Sequence, residues 1–333
     1  MPSYSGIWSL SQQFQAVGQQ LWPGSEPLLP GTLAIFALGS TTPGMSNTTT
    51  RNKYIFAGDV VSAGGAASDA SAQGSAVGNS TVGIFALGQN NTNGRGTTTR
   101  NKYTYSSDAS SSATASTGQS RYSSAAGNST VGIFALGDLN CSASTTRNKY
   151  TYSGDTNTSA TASTASSLYG SAAGNSTVGI FTLGSASSPS ATRNKYTYSS
   201  DTNSSATAAT AQSRDGSAAG NSTVGIFALG GVYTGCVFCP CTCSFYAAFC
   251  NSTTRNKYTY SGDVVSAGGA ATVAAVAGSA AGNSTVGIFA LGSATTTRNK
   301  YTYSGCVVAA GGASTAASNY GSAASNGTTG VNI

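Results

Sequence analysis

A pentapeptide, Ile-Phe-Ala-Leu-Gly or a close variant, begins at Ile35, Ile84, Ile133, Ile180, Ile226 and Ile288. Each copy is followed by Arg-Asn-Lys-Tyr, beginning at Arg51, Arg100, Arg147, Arg193, Arg255 and Arg298. Successive arginines are 49, 47, 46, 62 and 43 residues apart, and the long interval carries an insertion. Such a chain must fold as an array of one supersecondary unit, because each unit alone is too small to bury its apolar face.

The unit reads as strands. One copy runs Gly170-Ser-Ala-Ala-Gly-Asn-Ser-Thr-Val-Gly179, then Ile180-Phe-Thr-Leu-Gly184, a loop, Thr192-Arg-Asn-Lys-Tyr-Thr-Tyr198, a Ser-Ser-Asp turn and Ser204-Ser-Ala-Thr-Ala-Ala-Thr-Ala211. Four short strand segments emerge: a small Ala/Ser strand, an apolar strand, a strand alternating Tyr-Thr-Tyr, and an outer Val-Val-Ser-Ala or Ala-Thr-Ala-Ser strand. Gly, Asn, Asp and Ser punctuate them, as turns require. No window holds a 3.6-residue period, which argues against helix. Four strands in a unit of this length match one propeller blade. The expected fold is therefore all-β, a six-bladed β-propeller over residues 31–333. The last copy stops after Gly321-Ser-Ala-Ala-Ser-Asn-Gly-Thr-Thr-Gly330, while the first lacks that lead but has Ile35-Phe36-Ala37-Leu38-Gly39. The two ends are expected to complete one blade and close the ring.

Only 7% of the 333 residues are charged, against roughly 25% in ordinary domains. The 17 Tyr and 11 Phe recur at regular intervals, which argues for a folded chain with a neutral polar surface rather than disorder. The net charge is +6, but 12 of the 15 basic residues belong to the six Arg-Asn-Lys tripeptides. A by-product of the repeat is not a nucleic-acid footprint, so no nucleic-acid partner is expected. No basic, apolar export leader opens the chain, and no run approaches about 18 apolar residues, so neither secretion nor membrane insertion is expected.

Histidine is absent, which excludes Ser-His-Asp and Cys-His catalysis and histidine metal sites. Of nine carboxylates, Asp59, Asp108, Asp155, Asp201 and Asp263 occupy one repeat position suited to a turn. Glu26, Asp69, Asp138 and Asp215 form no obvious pair, so no catalytic residues, cofactor or metal are expected. Arg51 and Asp59, Arg100 and Asp108, Arg147 and Asp155, Arg193 and Asp201, and Arg255 and Asp263 stand eight residues apart, and a structural ring of Arg–Asp contacts is expected from them. The sixth copy has Cys306 in place of Asp. Asn-Ser-Thr recurs at Asn79, Asn128, Asn175, Asn221 and Asn283 and reads as a turn leading into a strand rather than a glycosylation site.

The insertion, 231–252, contains Cys236, Cys239, Cys241, Cys243 and Cys250 together with Tyr233, Phe238, Phe245, Tyr246 and Phe249. Three readings remain for its cysteines: a disulfide-stapled protruding loop, a thiolate metal site with only one Cys-x-x-Cys, or free thiols. Its aromatics are candidate partner contacts. Residues 1–30 stand outside the repeat and hold both tryptophans; Trp8, Leu10, Phe14 and Trp22 are candidate anchoring residues for a neighbouring subunit.

Two resemblances extend this reading. Ile226-Phe-Ala-Leu-Gly230-Gly231 followed by Tyr258-Thr-Tyr260 resembles the Kelch type of propeller blade. That likeness spans residues 31–333 and implies architecture but no functional residues, since the family's paired Gly is complete only here and its blade Trp is absent. The opening Ser5-Gly-Ile-Trp8-Ser-Leu10-Ser-Gln-Gln-Phe14-Gln-Ala16, followed by Trp22-Pro23, resembles a short leader found on tail and other virion structural proteins of phages. It implies a non-enzymatic virion protein, a tail-fibre, tail-associated or surface-exposed component assembled in the host cytoplasm and present in multiple copies. It would be anchored to other virion proteins through its N-terminal segment and would bind a host-surface glycan or protein. The alternative is a bacterial surface or secreted lectin-like propeller that binds glycans.

Overall fold

The computed structural model describes residues 31–41, 46–90, 94–139, 142–185, 190–239 and 244–327, with the side chains of 235–248 left undescribed. Within these, six four-stranded antiparallel sheets follow one another along the chain. The second is typical: Ser75–Gly78, Val82–Ala86, Arg100–Thr104 and Ala109–Ala113, from inner to outer strand. The first sheet takes its inner strand, Ser322–Ser325, from the far end of the chain and pairs it with Leu33–Ala37, so that Phe36 faces Ala323. Arg51–Ile55 and Val60–Gly64 complete that sheet. The arrangement is all-β and propeller-like. No described helix is long and apolar enough to cross a membrane.

Period-two alternation assigns each residue its neighbour. In Ile35-Phe36 the two side chains leave opposite faces of the sheet. Ile35 packs with Phe85 and Tyr103 of the second sheet, while Phe36 packs with Ile288 of the sixth. The same scheme recurs, Ile84 meeting Phe134 and Ile226 meeting Phe289. The core is thus a set of layers between sheets, and every Ile and Phe of the pentapeptide is buried. Each such side chain contributes about 1.5–3 kcal/mol by leaving water. The inner strands lie side by side, and their alanines are fully buried. The crowding explains why that strand is built from Ala, Ser and Gly. At its lower end the Tyr198 hydroxyl lies where a Cβ on Gly174 or Gly179 would come within 2.5 and 2.8 Å of it. The Gly-Asn-Ser-Thr-Val-Gly spacing makes room for that ring.

The same alternation corrects the expected Arg–Asp ring. Arg51 and Lys53 share one face of their strand; Asn52 and Tyr54 share the other. Arg51 is buried against the second sheet, its guanidinium 4.4 Å from the Phe85 ring, and Nη2 donates to Asn101 Oδ1 at 3.2 Å. Arg100, Arg147, Arg193 and Arg255 repeat this with Asn148, Asn194, Asn256 and Asn299, and Arg298 reaches Asn52 of the first sheet. Burial lowers each guanidinium pKa to about 10, which leaves it charged at neutral pH. Four of the five aspartates pair with lysine instead. Lys53 Nζ lies 2.7 Å from Asp108 Oδ2, Lys102 3.4 Å from Asp155, Lys149 3.7 Å from Asp201 and Lys300 3.0 Å from Asp59. The reason is position along the strand. Arginine sits at the upper end and aspartate in the turn below the lower end, so the lysine two residues further down is the cation within reach. Each aspartate also accepts from the tyrosine of its own sheet, as Asp59 does from Tyr54 at 2.5 Å.

Candidate functional site

The repeat absorbs most side chains into joints between sheets, so a site is sought among positions that do not repeat. One such position immediately precedes the inner-strand lead. It is Gln73, Tyr122, Tyr169, Asp215, Ala277 and Tyr320 in the six units, whereas the residues that follow hardly change. All six have positive φ, between 53° and 61°. That backbone costs a non-glycine residue about 1–3 kcal/mol and persists only where its surroundings impose it.

Backbone hydrogen bonds impose it here. Tyr320 N donates to Ala277 O at 2.8 Å, Ala277 N to Asp215 O at 2.9 Å, Asp215 N to Tyr169 O at 2.9 Å, Tyr122 N to Gln73 O at 2.7 Å and Gln73 N to Tyr320 O at 2.9 Å. Five of the six neighbouring pairs are therefore joined, and between Tyr122 and Tyr169 the rings meet instead. They line a cavity of about 50 Å³ at the upper end of the inner strands. The Tyr122 ring lies 4.1 Å from Tyr169 and 6.3 Å from Tyr320. Gln73 Oε1 is buried there with no hydrogen-bond partner. Burial raises the Asp215 pKa to about 6 against the opposing pull of Arg214, whose Nε is 3.6 Å from the carboxylate. Burial also raises the Tyr122 and Tyr320 hydroxyls, with Tyr169 and Asp215 adding to it respectively.

The insertion stands beside this mouth. Gly231–Cys239 and Ser244–Asn251 form a hairpin whose base extends the short strand Ser213–Arg214. Tyr233 and Phe249 pack at 5.8 Å. Arg214 joins hairpin to mouth, its guanidinium 4.2 Å from the Phe249 ring and 5.6 Å from Tyr169. On the far side Arg121 lies over Tyr122 at 5.3 Å and pairs with Asp138 at 2.7 Å.

Of the residues singled out from sequence, Phe249 packs on Arg214 beside the mouth and Tyr233 packs on Phe249. Phe238 and Phe245 are cross-strand neighbours in the hairpin, and Tyr246 faces Val237, by backbone register. Cys250 is a free, exposed thiol. In the ladder Cys236 opposes Ala247, Cys239 opposes Ser244 and Cys250 opposes Val232, so no cysteine faces another across it. Trp8, Leu10, Phe14, Trp22, Cys241 and Cys243 lie outside the described residues. The described residues contain no group of three or more potential metal ligands. Sequence reasoning missed Gln73, Tyr122, Tyr169, Asp215 and Tyr320. The available signal was variation at this position beside a lead, Gly/Ser-Ser-Ala, that hardly changes.

No protein-family model matches the chain, and no curated protein matches it. The chain is similar in structure to the solved structure of YjhT, with a TM-score of 0.58 at 10% sequence identity over 85% of this chain and 94% of that one. A likeness at that identity extends to the fold alone, and it supports the propeller-like, all-β architecture.

Proposed function

We propose that this chain is a non-enzymatic surface-binding component of a phage particle, built as a closed six-bladed propeller of Kelch-like units. The observation that carries the binding role is the Arg214 bridge between Phe249 of the hairpin and Tyr169 of the mouth. It gathers two non-repeating features, the hairpin and the mouth, at one end of the molecule. Ring closure is supported by the pairing of Ser322–Ser325 with Leu33–Ala37 and by the Arg298–Asn52 joint between the sixth and first sheets. A scaffold held by such joints presents a rigid surface with little ordering cost on binding. The virion assignment rests on the leader-like segment from Ser5 to Pro23. In this reading residues 1–30 anchor to other virion proteins, several copies are displayed per particle, and the mouth and hairpin face a host glycan or protein.

Electron microscopy of purified particles tests the assignment. Propeller-sized density at a fixed stoichiometry is the expected result. Recovery of the protein only as free monomer, absent from particles, overturns it.

A further inference from the structure

We infer that the mouth lined by Gln73, Tyr122, Tyr169, Asp215 and Tyr320 is a binding site for a neutral sugar ring, taken edge-on. The inference deepens the surface-binding part of the proposed function and does not depend on the virion assignment.

Three observations select this ligand class. First, the mouth combines aromatic faces with polar groups that accept. Tyr122, Tyr169 and Tyr320 supply aromatic surface, beside Arg121 and Arg214, against which the C–H bonds along one edge of a pyranose pack. Gln73 Oε1 is shut away from solvent without a donor, and rotation of its side chain into the mouth would let it gain the hydrogen-bond partner that offsets its desolvation. A sugar hydroxyl would then donate to it and to the Asp215 carboxyl. Second, the charges already present are paired. Arg214 stands against Asp215, and Arg121 against Asp138. A bound anion would meet the Asp215 carboxylate and the unpartnered Gln73 oxygen. A bound cation would find the guanidiniums of Arg121 and Arg214 already over the Tyr122 and Tyr169 rings. An uncharged polyol meets neither obstacle. Third, the cavity of about 50 Å³ is shallow enough for the edge of one ring and too small to engulf an oligosaccharide. The rest of a glycan would extend toward the hairpin, where Phe249 and Tyr233 offer further aromatic surface.

The backbone supplies an unusually clean set of variants. Because Tyr169 and Gln73 have φ of 59° and 61°, Tyr169→Gly and Gln73→Gly remove the ring or the acceptor and relieve backbone strain together. The relieved strain offsets part of the packing that Tyr169→Gly loses with Tyr122 and Arg214, and both variants are expected to fold.

The test is saturation-transfer NMR on the full chain with glucose, galactose, mannose and N-acetylglucosamine as separate probes, with thermal melting to verify folding. At least one sugar is expected to bind in the millimolar range, with affinity falling at least tenfold in Tyr169→Gly and severalfold in Gln73→Gly. Binding that survives Tyr169→Gly unchanged overturns the site. Absence of transfer to all four sugars overturns the ligand class. Neither result bears on whether the protein is found in particles, so failure here is separable from failure of the virion assignment.

Discussion

The guanidinium of Arg298, in the last repeat, lies 4.6 Å from the ring of Phe36, in the first, and its Nη2 donates to Asn52 Oδ1 at 3.1 Å. The same contact joins Arg100 to Phe134 and Asn148 in the middle of the chain. Among the described residues neither arginine has a carboxylate partner, and both charges are held by π faces, an amide oxygen and backbone carbonyls. Arg→Ala at either position strips the ring of its cation and the asparagine of its donor, with an expected cost of roughly 2–4 kcal/mol. In a closed propeller Arg298→Ala costs as much as Arg100→Ala in urea unfolding. A distinctly smaller loss for Arg298→Ala would mean that the joint between sixth and first sheets carries little load.

Cys306 stands where the other five units have aspartate, with the same left-handed backbone, φ 53°. The Tyr301 hydroxyl bonds to its side chain, and burial first, then that bond, raises the tyrosine pKa. Lys257 of the fifth sheet consequently lacks the carboxylate that Lys53 finds in Asp108. Cys306→Asp restores that partner, and aspartate tolerates positive φ better than cysteine. A gain of about 0.5–1 kcal/mol is expected at neutral pH, modest because the pair is partly exposed. The gain should fade on acidification. Burial alone would raise Asp155, Asp201 and Asp263, but the threonine amide, tyrosine hydroxyl and lysine around each hold it below 3.8. A depressed carboxylate stabilises above its unfolded pKa and loses that contribution as pH falls through the folded one. Melting curves at pH 7 and pH 3 would show the difference; an equal gain at both would dismiss the ion pair as its source.

Much of this fold is written in the repeat. Strand number and order within a unit, and the turn role of Asp59 and its equivalents, follow from period, length and punctuation. So does the pairing of the last Ser-Ala-Ala-Ser segment with the first pentapeptide. What eluded the sequence was direction. Counting eight residues from Arg51 to Asp59 ignores which face each side chain leaves and at which end of the strand it sits, and Lys53 of one sheet meets Asp108 of the next instead. The mouth was harder to see for another reason. Repeats are recognised by what recurs, and Gln73, Tyr122, Tyr169, Asp215 and Tyr320 occupy a position where the six units differ. Asp215 also stood without a partner in the sequence, although Arg214 is its chain neighbour. Adjacent residues in a strand leave opposite faces, but the strand ends at Arg214, and at Asp215, with its positive φ, the two side chains meet at 3.6 Å.

Asp215 gives the molecule a stability dependence opposite to that of the repeat aspartates. Its carboxyl is pushed from 3.8 to about 6, by burial first. The native state therefore holds a proton that the unfolded chain releases near pH 4. The stability contributed by this group is fully present below pH 4 and is lost as pH rises through about 6, because the ionised form is buried at a cost. Asp215→Asn removes the titration while preserving shape. At pH 7 it is expected to raise stability by on the order of 2 kcal/mol, and at pH 4 to leave it nearly unchanged. Chemical denaturation at both values measures this, and a variant that gains equally at both would point to a cause other than the buried charge.

Asn175 illustrates why the recurring Asn-Ser-Thr triplets serve the fold rather than glycan attachment. Its Oδ1 accepts from Thr177 N, Thr177 Oγ1 and Val178 N, each at 2.9 Å, closing the turn before the second strand. Its Nδ2 donates to Ser222 O of the next sheet at 3.2 Å. Asn79, Asn128, Asn221 and Asn283 do the same toward Ser129, Ser176, Ser284 and Gly31. A sugar attached at Nδ2 would occupy the space of that carbonyl and break the joint. Asn175→Asp keeps the turn but loses the donor, and Asn175→Ala loses both. The expected costs are about 0.5–1 kcal/mol for the first and about 1–2 kcal/mol for the second. Equal costs would show that the Ser222 bond contributes nothing. Expression through a secretory pathway provides the complementary check: intact-mass analysis of the folded protein should show these five asparagines unmodified, and their quantitative occupancy in a folded product would refute the assigned role.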